Sequence, residues 1–168
     1  MQKIDFDFRV LLKNLEEQLI LYSELLNLAE KKTDILVKND VKHLEEITNM
    51  EQEMIVKLGK LEEERCKFLE ELSSHLGIEK EKINSSYILE ILPEKVKKEM
   101  DEITNKLKDV LKNLDERNRL NERLIKSALE FINTSIELLV EAGRQVTGYG
   151  ADGKISEKET LKFFDKKL

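Results

Sequence analysis

The residues best equipped for chemistry lie in the segment GYGADGKISEKE, Gly148 to Glu159. Laid on the calcium loop of an EF-hand, it supplies Asp152 at position five, Gly153 at six, Ser156 at nine and Glu159 at twelve. Positions one and three are Gly148 and Gly150, which bring no side-chain oxygen to a cation that needs six to eight. The segment is therefore expected to be a glycine hinge leading into a capped helix. Asp40-x-x-His43 is the nearest approach to the Glu-x-x-His pair of a di-iron bundle, and it has no second copy. Cys66 is the single cysteine, with no histidine at neighbouring helical spacings, and reads as a passive thiol. No glycine loop opens a helix after a strand in the manner of a phosphate site. Neither catalysis, nor a metal, nor a cofactor is expected of this chain.

What remains is helix. The chain has 168 residues, 40% hydrophobic and 38% charged, with one proline and no tryptophan, which suits long amphipathic helices with thin seams in one domain. Net charge is −6 with the signs interspersed, so no basic stripe tracks a phosphate backbone and nucleic acid is excluded as a partner. No apolar run approaches the roughly 20 residues of a membrane span. A lone cysteine points to the cytoplasm.

From Val96 the positions Met100, Ile103, Leu107, Val110, Leu114, Arg117, Asn121, Leu124, Ala128, Phe131, Ser135, Leu138 and Ala142 follow in steps of three and four. That seven-residue repeat keeps one seam of a helix against a partner helix. A helix from Pro93 to Ala142 would be about 70 Å long and needs something lying along it. Arg117, Asn121 and Ser135 interrupt the seam with polar groups, whose usual role is to set register or meet a partner.

Upstream, a first helix is expected from about Asp5 to Leu36 on the seam Phe8, Leu12, Leu15, Leu19, Tyr22, Leu26 and Ala29, widened by Leu11, Ile20 and Leu25. Val37-Lys38-Asn39 forms a short connector, and Asp40 caps a second helix. That helix carries Leu44, Ile47, Glu51, Met54, Leu58, Leu61, Arg65, Phe68 and Leu72 and stops at Gly77. Residues 78–92 lose the period, with one or two helical turns at Tyr87–Leu92. Four of the six glycines fall within Gly143–Gly153 and end the bundle. Ser156 with Glu159 makes a capping box, and Leu161, Phe164 and Leu168 share one face of a short tail helix. The expected architecture is all-α. It is an antiparallel three-helix coiled-coil bundle over 1–142, with a long third helix, then a glycine-rich hinge and flexible amphipathic tail over 143–168. Leu15, Leu61 and Leu107 should be buried, and Glu51 should bond Asn118, Asn121 or Arg117.

Residues 121–132, NERLIKSALEFI, followed by Leu138-Leu139, resemble the signature on the last long helix of the FlgN family of flagellar export chaperones. Tyr149 and Gly153 are similar to the segment that closes many members. Leu36, Asp40 and Leu44, then Glu62 and Arg65, are similar to its weaker N-terminal pattern. The resemblance implies a cytoplasmic chaperone of flagellar type III export. It would bind the C-terminal helical segments of the hook–filament junction proteins FlgK and FlgL and hand them to the export gate FlhA. Asn121, Leu124, Phe131, Tyr149, Leu161, Phe164 and Leu168 would meet cargo or gate. A self-associating coiled coil, or another export-apparatus component, is the alternative, and monomer and dimer both stay open.

Overall fold

The computed structural model describes residues 7–147, all of whose regular elements are helical. Tyr149, Leu161, Phe164, Leu168 and the Gly148–Glu159 loop lie outside the described residues. Helix α1 spans Arg9–Lys38, α2 Val41–Leu76, α3 Ser85–Ile91 and α4 Glu94–Thr147, with a single 3-10 turn at Lys80–Lys82 between α2 and α3. Two compact units divide the chain, residues 1–122 and 123–168, so α4 contributes to both.

In the first unit, each helix end has a local cause. Asn39 takes the left-handed conformation (φ 54°), and its N–H donates to the Leu36 carbonyl while that of Asp40 donates to Ile35. These two bonds close the last turn of α1, and a short amide side chain tolerates the positive φ. Val37 and Lys38, expected in the connector, are therefore helical, because Asn39 and not the basic run at Lys31-Lys32 ends the helix. One residue on, the Asp40 carboxylate accepts from the His43 N–H at 3.3 Å and opens α2. The Asp40-x-x-His43 spacing is thus a helix cap. At the far end Gly77 (φ 64°) stops α2 as expected, with Ile78 N–H donating to Ser73. Within the stretch 78–92 that loses the period, Asn84 starts α3 by accepting from the Tyr87 N–H at 2.9 Å.

Helices α1 and α2 run antiparallel. Phe8 meets Phe68 edge-to-face with ring centroids 6.2 Å apart, Asn14 reaches the Leu61 carbonyl, and Lys32 pairs with Glu51, so one number falls as the other rises. The core gathers Leu11 and Leu12 of α1, Phe68, Leu69 and Leu72 of α2, Ile83, then Ile88 and Leu92 around α3, and Met100, Ile103 and Leu107 of α4. Leu61 and Leu107 are buried as expected and Leu15 is half-buried, but Ile20, expected to widen the α1 stripe, is 59% exposed. Two polar side chains take its place inside: Asn14 and Gln18 are 7% and 8% exposed. The Gln18 amide donates to the Asn14 carbonyl oxygen at 2.9 Å, and the Asn14 amide donates to Leu61 at 2.8 Å. Burying such groups is tolerable because each finds a partner, and no buried side-chain polar atom among the described residues lacks one.

In the second unit α4 continues through Gly143 to Thr147, past the expected stop at Ala142. A single helical glycine costs only about 1 kcal/mol relative to alanine, too little to end a helix by itself. Gly59 inside α2 behaves in the same way.

Candidate partner-binding face

The packed part of α4 buries one stripe. Met100, Ile103, Leu107 and Asn121 are buried, while Val96, Val110, Leu114 and Arg117 are half-buried between them. Asn121 is 3% exposed. Its amide donates to the Ala29 carbonyl at 2.8 Å, and its side-chain oxygen accepts from the Thr33 hydroxyl at 2.7 Å. Arg117 stands 4.0 Å from Glu30. Two of the polar positions that interrupt the seam, Arg117 and Asn121, therefore clamp α4 to the last turns of α1, while the Ser135 hydroxyl donates to the Phe131 carbonyl of its own helix. Glu51, expected to bond Asn121, Asn118 or Arg117, pairs with Lys32 instead, both side chains being about five-sixths buried. It does line one cleft together with Asn118, so the two are level as expected, but the α1 lysine reaches the carboxylate first.

The carboxylates held most firmly ionised lie along α2 and its cap. The His43 backbone N–H keeps the Asp40 carboxyl below its ordinary range. The Arg65 guanidinium, 2.6 and 2.8 Å from the two oxygens of Glu62, does the same there. Lys80, 2.7 Å away, lowers Glu70. These are structural ion pairs, and no cluster of metal-ligating side chains occurs among the described residues. Cys66 is half-buried with its thiol pointed at Glu62 at 3.8 Å.

From Arg123 on, α4 carries two apolar stripes. The first continues the seam: Leu124, Ala128 and Ser135 are half-buried, while Phe131 is 75% and Leu138 61% exposed. The second, offset by one residue, consists of Ile125, Leu129, Ile132, Ile136 and Leu139, 37–72% exposed. The sequence reading missed this second stripe, although its 4-3-4-3 spacing is as plain as that of the first. With one residue turning about 100°, the two stripes merge into an apolar arc of about 200°. The remaining arc holds Arg123 and Lys126 against Glu130, Glu137 and Glu141. A stretch this apolar on an exposed helix marks an interaction surface. Of the candidates from sequence, Leu124 and Phe131 share this face, whereas the Asn121 side chain is engaged inside the first unit.

The model of the FlgN protein family matches residues 1–157 of the chain. The chain belongs to the FlgN family. The matched span takes in α4 and Tyr149, and it stops short of Leu161, Phe164 and Leu168. The "Uncharacterized protein YvyG" of Bacillus subtilis (strain 168) is 27% identical over 160 residues, 95% of this chain and 98% of that protein. No solved structure matches the chain. Membership of the FlgN family supports a flagellar export chaperone with flagellar protein partners. Among the described residues no helix is long and apolar enough to cross a membrane.

Proposed function

We propose that this FlgN chain is a cytoplasmic chaperone that binds the C-terminal helical segments of junction proteins of the FlgK and FlgL type. It keeps them from assembling early and delivers them to the export gate FlhA. The observation that carries this reading is the exposed apolar face between Leu124 and Val140 in a chain of this family. Amphipathic cargo helices laid along it would bury apolar surface on both sides, the helix-in-groove mode of recognition. A cargo segment disordered when free loses conformational entropy on binding, which keeps the complex reversible enough for hand-over.

In this reading Leu124 and Phe131 touch cargo. Asn121 positions α4 against α1, and could reach cargo only by leaving Ala29 and Thr33. Tyr149, Leu161, Phe164 and Leu168 are proposed as a second contact, for the gate or for cargo. The test is capture of FlgK-type and FlgL-type C-terminal segments by the full chain and by a chain truncated after Gly153. Capture by both assigns cargo to α4; capture by the full chain alone assigns it to the tail; capture by neither sinks the reading. The rival, a self-associating coiled coil, rests on the same uncovered seam. It requires a light-scattering mass of two or more chains that cargo does not reduce.

A further inference from the structure

The segment between α2 and α4 is attached in two ways. Residues 78–82 are tied to α2 by polar bonds: the Ser73 hydroxyl donates to the Ile78 carbonyl at 2.6 Å, and Lys80 pairs with Glu70 at 2.7 Å. From Asn84 to Leu92 the hydrogen bonds stay within the segment. The Asn84 side chain accepts from the Tyr87 N–H, the Asn84 carbonyl from that of Ile88, and the Ile88 carbonyl from that of Leu92. What holds α3 down is apolar contact, through Ile88 and Leu92 in the common core. Beneath α3 that contact is incomplete. A cavity of about 240 Å³ is lined by Ile83, Ile88 and Leu89 on one side and by Leu69, Met100 and Leu107 on the other. Atoms that face a void have no partners there and forfeit the attraction that close packing supplies. Asn84 and Leu92, which flank the helix, are both extended (ψ 174° and 143°), so α3 is joined to the rest through non-helical residues at each end. A helix of seven residues does not hold its own fold in water, because nucleation is costly.

We propose that α3 is a detachable strap: residues 84–92 come off the first unit together while α1, α2 and the packed half of α4 stay in place. Opening uncovers a trough floored by Leu69, Met100 and Leu107, side chains that the closed chain keeps out of water. Local openings draw on the elements with the fewest buried contacts, and α3 has two buried anchors to withdraw. The α1–α2 hairpin is the opposite case. Its helices run 30 and 36 residues, and they are joined by Phe8 against Phe68 and by the Asn14 amide on the Leu61 carbonyl. The chain therefore carries an apolar surface that exists only with the strap open, apart from the α4 face that is exposed throughout.

Hydrogen exchange of the full chain, resolved amide by amide over a series of low denaturant concentrations, tests this. The Ile88 and Leu92 amides should exchange at least about tenfold faster than those of Phe68 and Leu72 in α2. Their rate should also respond less to denaturant, because a local opening exposes little surface. Asn14→Ala removes the donor to the Leu61 carbonyl, a bond that the opening of α3 leaves intact. It should speed the α2 amides and leave the α3 amides unchanged. The trough itself is read by Met100→Cys in a Cys66→Ser chain, which an alkylating reagent should modify in step with α3 exchange rather than with α2 exchange. Equal rates and equal denaturant response in the two helices overturn the strap. So does equal acceleration of both by Asn14→Ala, or alkylation of the Met100→Cys chain only in step with α2.

Discussion

The two halves of α4 carry the same repeat and meet opposite fates. Between Met100 and Asn121 its seam lies inside the packed unit, with Met100 3% and Leu107 8% exposed. Between Leu124 and Val140 the same seam continues, yet Phe131 and Leu138 stand in water at 75% and 61%. Helix length accounts for the need. At 1.5 Å per residue α1 and α2 are about 45 and 54 Å long, and α4 about 81 Å. A hairpin of that length cannot line the whole of α4. The lesson is that a heptad repeat states only that a stripe requires cover. Whether the cover belongs to the same chain is decided by how much helix the rest of the chain can supply.

The most direct way to break this comparison is to truncate one leucine in each half. Leu107→Ala removes atoms from the core beside Met100 and Ile103 and should cost about 2–5 kcal/mol. Leu138→Ala removes the same atoms from an exposed position and should change stability by no more than about 0.5 kcal/mol. Thermal melts of the two variants read the difference. Equal losses would mean that the second half is covered within the free protein.

A smaller effect is expected at the join. Asn121→Ala removes the donor to the Ala29 carbonyl and the acceptor for the Thr33 hydroxyl, so about 1–3 kcal/mol of stability should go. The loss should also show as faster amide exchange in the last turns of α1, because that is where the clamp acts. An Asn121→Ala chain with wild-type melting and exchange would show that apolar packing alone holds this end of α4.

What was legible in the sequence is local. Asp40 and Gly77 could be assigned as caps because the chemistry of a cap is set within four residues. The α2 seam from Ile47 through Leu58, Leu61 and Phe68 to Leu72 follows from period alone. What was not legible depends on partners far along the chain. Asn14 looks like a solvent position on α1 until the Leu61 carbonyl, 47 residues away, is brought to it. Glu51 could have faced Asn121, Asn118, Arg117 or Lys32, and only the register of three helices selects the lysine. On the second half of α4, the seam through Leu124 and Phe131 follows from period as well, but its exposure does not. The second stripe repeats the period of the seam one residue out of phase, so a single heptad seam does not contain it.

The last prediction sharpens the comparison through pH. Asp40, Glu62 and Glu70 sit in the packed unit, and each has its carboxyl held below the ordinary value: by the His43 backbone N–H, by Arg65 and by Lys80 respectively. A carboxyl whose folded pKa lies below its unfolded one favours the fold when ionised. Its contribution is complete above the unfolded value, about 4, and is lost as pH falls through the folded one. Arg65 and Lys80, both raised by the same two ion pairs, keep their contribution below their unfolded pKa and lose it only as strong alkali carries pH through the raised folded values, so they add nothing on the acid side. Acid should therefore loosen the α2 hairpin and its cap. The effect is modest, because these side chains are half or more exposed or nearly so, and solvent screens such pairs. Melting temperature should fall between pH 7 and pH 3, and Glu62→Gln combined with Asp40→Asn should flatten that fall by lowering the pH 7 value toward the acid one. An acid limb of unchanged depth in the double variant would show that these carboxylates are not what the packed unit loses in acid.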